Sequence, residues 1–359
     1  MTAGVLVLAA CGGGDGDADG GAGPLATGPV PVVDCATKGK VRGSGSSAQQ
    51  IAMKRWMQQY QRACPGVQLV YDPLGSGAGV AQFHRGATTF GGTDQALTEK
   101  ERTVPADVCP GGKAIDLPMA GGAVALGYNI PGVTGLVLDA PTLARLFDAR
   151  ITKWNDPAIR ELNPDAQLPD LAVVPVHRAD DSGTTQNLNA YLKGAAGDRW
   201  PYPAGKKWQA QGGHSANGSD AVATAVTQTE GAIGYFELSF AEKRKIETVH
   251  IATGAAEPVA PSTQSASAGI AAAKIVGEGR DLRLKFDHRT SAEGAYPIVF
   301  VTYEIVCDTG NDPESLPALK SFLTYTAGRQ GQEELHALHY APLPESVATQ
   351  VREVVASLS

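Results

Sequence analysis

The sequence lacks the features of several common protein classes. No stretch approaches the ~20 consecutive apolar residues that a membrane-spanning helix needs. There is no GxxxxGK(S/T) phosphate loop, no GxSxG nucleophile elbow and no CxxC pair. The seven histidines are scattered and share no constellation with carboxylates or cysteines. These absences argue against three classes: a nucleotide-binding enzyme, a hydrolase with an activated nucleophile, and a metalloprotein. We therefore expect neither a metal site nor a cofactor.

Positive charge is also scarce. The 30 Lys and Arg residues are outnumbered by 37 Asp and Glu residues, which gives a net charge of −7. Proteins that bind the nucleic-acid backbone show basic stripes, so this balance argues against nucleic acid as the main partner. It does not exclude a small anion held in a closed local site.

The chain is long enough for two domains with their own cores, with 359 residues of which 43% are hydrophobic. Strand-like and helix-like patterns alternate along it. Strand-like runs include VQLVY at 67–71, LAVVPV at 171–176 and GAIGYF at 231–236. The alternation predicts an α/β fold.

The N-terminus is similar to the end of a bacterial lipoprotein signal. Residues Val5–Ala10 are apolar, and Leu-Ala-Ala is followed directly by Cys11, which would carry the lipid. The segment that follows is rich in Gly, Asp and Ala and cannot bury a core, so we expect a flexible tether. An apolar stub before a linker is the alternative interpretation.

Four further cysteines, Cys35, Cys64, Cys109 and Cys307, suggest two disulfides in an exported protein. Four cysteines permit three pairings. Cys35 precedes the first strand and Cys64 follows the helix after it, so both fall at the same edge of one βα unit. This favours Cys35–Cys64 and, by remainder, Cys109–Cys307.

Three Gly- and Ser-rich turns each precede a predicted helix, at Gly43–Ser47, Gly75–Gly79 and Asp181–Thr184. Each places free backbone N–H groups and hydroxyls at the positive end of a helix dipole. One such turn indicates ordinary helix capping. Three of them, with Arg178 beside the third, favour a site for an anion.

Longer motifs point to one family. From about residue 38 to the C-terminus, the chain resembles the phosphate-binding lipoproteins of the bacterial high-affinity phosphate ABC transporter, the Pst system. The resemblance rests on motifs in the family's order, several of them long and specific: GSGSSAQ, GSGAGVAQF, FGGTD, YNIPGV, ITKWNDPAIRELNP, HRADDSGTT, EGAIGY and APLPESV.

The resemblance implies an α/β, two-lobed periplasmic-binding-protein fold (type II-like) with two crossover strands, near Pro118–Gly122 and Tyr296–Val299. The implied parts are a signal remnant with its lipidation site at 1–11, a tether at 12–36, lobe I at 37–118 and 298–359, and lobe II at 119–297. It also implies a monomer, anchored by lipid at the extracytoplasmic face of the cell membrane, that passes inorganic phosphate to a membrane permease.

The family's ligand-binding residues map onto this chain position by position. Ser47 takes the place of a threonine that donates its hydroxyl and its N–H, and Ala48, where a phenylalanine often stands, donates through its N–H. Asp180 would hold Arg178 in place, while Asp181 replaces a glycine and is expected to point to solvent. The residues implied to bind phosphate are Ser46, Ser47, Ala48, Ser76, Asp94, Arg178, Ser182, Gly183 and Thr184.

Asp94 suggests how phosphate would be selected. Phosphate at neutral pH keeps a proton that a buried carboxylate can accept, whereas sulfate has none to offer. A site built around such a hydrogen bond can reject an analogue that lacks it by roughly 10⁴–10⁵. A turn aspartate that caps a helix is the alternative role for Asp94.

Two other functions stay open at this point. A receptor for another tetrahedral oxyanion, such as sulfate or molybdate, would share the helix termini and the arginine. A secreted phosphatase would need a metal cluster or an activated nucleophile, and the sequence shows neither.

Overall fold

A computed structural model describes residues 29–271 and 273–359. The predicted signal remnant, Cys11 and most of the predicted tether lie outside the described residues. The strands are β1 Gly39–Gly45, β2 Val67–Asp72, β3 Phe90–Thr93, β4 Ala114–Tyr128, β5 Val137–Asp139, β6 Val174–Arg178, β7 His214–Ala216, β8 Ala232–Glu237, β9 Glu247–Thr248, β10 His250–Ala252, β11 Lys274–Ile275, β12 Leu284–Lys285 and β13 Val299–Cys307.

The helices alternate with these strands, as the sequence predicts. They are α1 Gln50–Ala63, α2 Ser76–His84, α3 Glu99–Arg102, α4 Ala140–Phe147, α5 Pro157–Leu162, α6 Gly183–Ala195, α7 Gly218–Gln228, α8 Leu238–Arg244, α9 Thr263–Ala271, α10 Leu316–Thr326, α11 Arg329–His336 and α12 Glu345–Ser357, with a short 3-10 helix at Gly197–Arg199.

The main sheet has the strand order β2-β1-β3-β13-β4-β8-β6-β7, and β9 adds to β4. The outer strands pair in parallel, β1 with β2 and β3 on one side and β6 with β7 and β8 on the other. The central strands pair antiparallel, β13 with β3 and β4, and β4 with β8. Two α/β lobes therefore share a central antiparallel strand pair, which is the periplasmic-binding-protein fold expected from the resemblance.

Strand β4 connects the two halves of the sheet because its two ends pair with different neighbours. Residues 114–123 pair with β13, and residues 124–128 pair with β8. All 15 of its residues are buried, which explains the nearly continuous apolar sequence of this segment. The register with β13 shifts between Thr302 and Tyr303, and Pro118 lies opposite Tyr303 at this irregularity. A bulge is one of the few places where a sheet accepts a proline.

The turn before α1 is shorter than the sequence suggests. The predicted turn started at Gly43, but β1 continues to Gly45 because Ser44 and Gly45 still pair with β3. The loop is therefore confined to Ser46–Gln49, and Ser46 N–H donates to the Gly92 carbonyl at 2.9 Å. The second helix also begins early, at Ser76. Both differences bring the serines close to the C-terminal ends of β1 and β3.

The two disulfides pair as predicted, Cys35 with Cys64 and Cys109 with Cys307. The first fixes the N-terminal arm against lobe I. In the same arm, Val32 N–H donates to the Gln330 side chain at 3.1 Å. This end of the predicted tether is therefore attached to the lobe.

Removing either disulfide is expected to lower the free energy of unfolding. Cross-links stabilise mainly by restricting the unfolded chain, by about 2–4 kcal/mol each, and more for longer loops. The sequence separation is 29 for Cys35–Cys64 and 198 for Cys109–Cys307. Urea unfolding of the two double Cys→Ser variants should therefore show the larger loss for Cys109 and Cys307. A larger loss for the short loop would contradict this loop-length argument.

Within residues 29–271 and 273–359, none of the helices has the length and apolar character needed to span a membrane.

Candidate functional site: a closed cleft between the lobes

Four helix N-termini and two strand ends meet where the lobes face each other. Lobe I contributes the Ser46–Gln49 turn before α1, the start of α2, and Asp94 just after β3. Lobe II contributes Arg178 at the end of β6 and the first residues of α6 and α7. The cleft thus combines positive helix ends and a cation with one carboxylate.

Asp94 is 2% exposed and lies at the centre of these groups. The Ser46 hydroxyl donates to its Oδ1, and the Thr184 hydroxyl donates to its Oδ2 at 3.1 Å. The Ser76 hydroxyl is 3.5 Å from the same Oδ2. Among the described residues, hydroxyls are the donors to this carboxylate, whereas an aspartate that caps a helix accepts from backbone N–H groups.

Burial raises the pKa of Asp94, while the hydrogen bond from Ser46 and the positive charge of Arg178 oppose that rise. Each carboxylate oxygen has more than one lone pair, so Asp94 keeps capacity to accept a further proton donor. Asp94 can therefore discriminate between anions that carry a proton and anions that do not.

Gly183 is a point of close approach between lobe II and lobe I. A Cβ atom added there would lie 2.6 Å from Ser76 Oγ and 2.8 Å from Asp94 Cβ, distances that real Cβ atoms do not show. Asn187, one turn along α6, donates to the carbonyl oxygens of both Asp94 and Gly183 at 2.9 Å. Only glycine lets the start of α6 meet the Asp94 segment this closely.

Contacts at the rim also join the lobes. Gly77 N–H donates to the Asp181 carbonyl at 2.8 Å, and the Asp181 side chain is exposed, as expected. Lys206 Nζ lies 2.5 Å from Glu101 Oε1. Both pairs cross the cleft, so the structure has closed lobes.

Arg178 is 2% exposed, and its guanidinium is held on two sides. Nε donates to Asp180 Oδ1 at 2.7 Å, and Nη2 donates to Asp180 Oδ2. Nη1 donates to Ser219 Oγ at 3.3 Å. Because guanidinium carries two N–H bonds on each terminal nitrogen, one N–H on Nη1 and one on Nη2 stay available to a ligand. Burial raises the pKa of Asp180, but the hydrogen bond and the charge of Arg178 outweigh it and leave that pKa below its ordinary value.

The remaining predicted residues lie in the same cleft. Ser47 Oγ is 3.2 Å from Ser219 Oγ, and Ala48 N–H donates to Ser46 Oγ at 3.0 Å. Ser182 caps α6, accepting from Thr185 N–H at 3.2 Å. The structure therefore brings together all nine residues that the resemblance implied, together with Asp180.

Sequence reasoning missed Ser219 and Asn187. Ser219 belongs to a fourth turn, Asn217-Gly218-Ser219, which opens α7. Its Gly-Ser pattern before a helix is the same signal that marked the other three turns. Asn187 lies inside α6, and its sequence position carries no comparable signal.

Two further buried carboxyl groups flank Asp94. Glu237 ends β8 in lobe II, and Glu304 lies in β13, where it pairs with Gly92. Burial raises the pKa of both to about 8, and the nearby charge of Asp94 adds to the rise in each case. Both are therefore neutral through much of the neutral range, which limits the negative charge around the cleft.

The pKa of Glu304 predicts how stability depends on pH. A carboxyl whose pKa is raised in the folded state binds its proton more tightly there than in the unfolded chain. Its stabilising contribution is complete below about 4.5, the ordinary value, and is lost as pH rises to about 8. The free energy of unfolding should fall through this window by at most ~1.4 kcal/mol per pH unit for this group. Glu304→Gln should reduce that slope by the share of Glu304, while the share of Glu237 stays, as measured by urea unfolding from pH 5 to 8.

The exposed Glu293→Gln is the matched control and should leave the slope unchanged. A Glu304→Gln protein with the parent's full slope would show that Glu304 is not the group that titrates.

His177 has a structural environment. Its ring stacks on Trp208 with centroids 5.1 Å apart, and burial lowers its pKa. In the described part of the chain, no three His, Cys, Asp or Glu side chains are grouped as metal ligands.

Two lobes that share a strand pair and close around converging donors define the class of bilobal solute-binding proteins. A family model for the PBP superfamily domain matches residues 33–330. Phosphate-binding protein PstS 3 of Mycobacterium tuberculosis is 40% identical over 363 residues, covering 100% of this chain and 97% of that protein. The chain belongs to the PstS family of phosphate-binding proteins.

Solved structures share the fold. The phosphate-binding protein of Stenotrophomonas maltophilia aligns with a TM-score of 0.70 at 18% identity, covering 89% of this chain and 94% of that chain. An ABC-type phosphate transport receptor from Vibrio cholerae aligns with a TM-score of 0.53 at 16% identity, covering 85% of this chain and 100% of that chain.

Proposed function

We propose that this protein captures inorganic phosphate between its two lobes and delivers it to the permease of a phosphate ABC transporter. The observation that carries the proposal is the pairing of Asp94 and Arg178 in one closed cleft. The positive charge of Arg178 and the helix N-termini attract an anion. The Asp94 carboxylate favours an anion that carries a proton and can donate it in a hydrogen bond. Phosphate meets both requirements at neutral pH.

The proposed ligand set divides between the lobes. Lobe I, proposed at 37–118 and 298–359, provides hydroxyls and N–H groups around Asp94. Lobe II, proposed at 119–297, provides the fork of Arg178 and the start of α6. The proposed phosphate-binding residues are Ser46, Ser47, Ala48, Ser76, Asp94, Arg178, Ser182, Gly183 and Thr184.

Competing functions fit this cleft less well. Sulfate or molybdate is fully deprotonated near neutral pH and would place an unprotonated oxygen against Asp94. A phosphatase needs a nucleophile activated by a base, or a metal-bound water. The Ser46 and Ser76 hydroxyls instead face the Asp94 carboxylate, and in the described part of the chain no histidine is bonded to these serines as a base.

Calorimetric titration of ligand-stripped protein tests the function. Phosphate should bind at one site per chain, and sulfate should bind far more weakly. A chromogenic phosphate ester should give no hydrolysis. Equal binding of sulfate would favour the general oxyanion receptor, and steady hydrolysis would favour the enzyme.

We further propose that the protein acts as a monomer held at the extracytoplasmic membrane face by a lipid on Cys11. The support is the sequence Leu-Ala-Ala-Cys and the Gly-rich segment after it. Expression of Cys11→Ala with a complete signal, followed by cell fractionation, should move the protein out of the membrane fraction. A variant that stays there like the parent would contradict the anchor.

A further inference from the structure

Ser219 occupies a position between the arginine of lobe II and the first turn of lobe I. It is the second residue of α7 and is fully buried. Its Oγ is 3.3 Å from Arg178 Nη1 and 3.2 Å from Ser47 Oγ. Its backbone N–H also donates to Ser47 Oγ at 3.1 Å. One side chain thus contacts an arginine on its own lobe and a serine on the opposite lobe.

We propose that Ser219 is a positioning residue of the phosphate site, one that orients Arg178 and couples this orientation to closure of the lobes. The inference rests on the proposed function. It assigns Ser219 no direct bond to the anion, because its contacts are with residues that would hold the anion.

The first part of the role is to fix the guanidinium. Asp180 holds one edge of Arg178 through Nε and Nη2, and Asp180 is itself held by Gly218 N–H at 2.9 Å. A guanidinium that is held along one edge only can still rotate about that edge. Ser219 accepts from Nη1, beyond the edge held by Asp180, so the available N–H groups keep a constant direction. Bidentate recognition of an anion depends on that direction.

The second part of the role is to leave one hydroxyl proton of the Ser47 and Ser219 pair free for phosphate. Arg178 donates to Ser219 Oγ, and the backbone of Ser219 donates to Ser47 Oγ. Between the two hydroxyls only one O–H is used, so one hydroxyl proton stays available to a phosphate oxygen. Hydrogen bonds in such a chain polarise one another, and a cation at its head strengthens the final donor.

The third part is the link with closure. Ser47 precedes α1 in lobe I, whereas Ser219 and Arg178 belong to lobe II. The contacts between the serines exist only while the lobes are closed. Closing the cleft therefore joins Ser219, and through it Arg178, to lobe I, and opening the cleft breaks that link. Ser219 should act chiefly on how long phosphate stays bound.

The test measures phosphate affinity by calorimetry and the dissociation rate by stopped flow for Ser219→Ala. We expect Kd to rise about 10- to 100-fold, the range for losing a hydrogen bond to a charged group, with most of the change in the dissociation rate. Ser265→Ala is the matched control. Ser265 is also a buried serine near a helix N-terminus, and its replacement should leave both values unchanged.

A double-mutant cycle distinguishes positioning from general loss of packing. Ser47→Ala and Ser219→Ala together should raise Kd by less than the product of their separate effects, because both break the same chain of hydrogen bonds. Multiplicative effects would overturn the coupling. So would a Kd for Ser219→Ala within twofold of the parent, or an equal loss in Ser265→Ala.

These results separate the inference from the function on which it rests. If the parent protein binds phosphate and Ser219→Ala binds it equally well, only the role of Ser219 fails. If the parent itself does not bind phosphate, the proposed function fails and the inference fails with it.

Discussion

Arg178→Lys should weaken phosphate binding by about 10²- to 10³-fold. Changing one member of a buried, hydrogen-bonded charge pair commonly costs ~2–5 kcal/mol, and each tenfold change in Kd corresponds to ~1.4 kcal/mol. Lysine keeps the positive charge but provides a single ammonium group. Arginine binds both carboxylate oxygens of Asp180 and still has two N–H groups for an anion. An ammonium group cannot do both, because it lacks the planar arrangement of donors of a guanidinium. Calorimetric titration with phosphate measures the loss directly.

Arg283→Lys is the matched control for this experiment. Arg283 also pairs with an aspartate two residues away, with Nε 2.7 Å from Asp281 Oδ2, but it is not part of the cleft. Its replacement should leave phosphate affinity unchanged. Near-parental affinity in Arg178→Lys would remove Arg178 from the site.

Asp94→Asn should sharply reduce the preference for phosphate over sulfate. The carboxylate is an obligate acceptor, so it favours an anion that carries a proton and repels one that does not. The amide keeps an oxygen for the phosphate proton but can also turn its N–H toward an unprotonated sulfate oxygen. Sites of this kind discriminate by roughly 10⁴–10⁵, so the ratio of the two Kd values should fall by orders of magnitude, chiefly because sulfate binds better.

The matched control for Asp94→Asn is Asp139→Asn. Asp139 caps α4 by accepting from Thr142 N–H at 2.8 Å. Its replacement should alter stability and leave the phosphate-to-sulfate ratio alone. Paired titrations at one pH and ionic strength give the ratio for each protein. A folded Asp94→Asn protein with the parental ratio would show that Asp94 is not the discriminating group.

Part of the fold follows from local sequence patterns alone. The strand at 67–72 and the helix ending near Cys64 follow from apolar periodicity and from the Cys-Pro-Gly stop. The extent of β1 does not, because Gly43–Gly45 has the composition of a turn. Those residues stay in the strand because β2 pairs with Gly43 and Ser44 and β3 pairs with all three. Pairing between separate strands leaves no local signal in the sequence.

The site could be predicted only in part. Gly-Ser turns and Arg178 predict an anion site, and the family resemblance supplies Asp94. The contact between Ser47 and Ser219 joins residues 172 positions apart, which a local pattern cannot show. Glu237 and Glu304 each lie in an apolar strand. Alternation of apolar and polar residues along a strand would predict that both side chains face solvent. They are buried because both faces of these central strands are covered.

A crystal structure of the protein with phosphate is the sharpest test of the proposed binding site. We expect an anion enclosed between the lobes. One oxygen should lie about 2.5–2.7 Å from an Asp94 carboxylate oxygen, the distance of an O–H···O⁻ bond, and the Nη1 and Nη2 atoms of Arg178 should lie about 2.7–2.9 Å from the anion's oxygens. Phosphate bound at a single lobe or at the rim, with Asp94 making no contact to it, would rule out the proposed site.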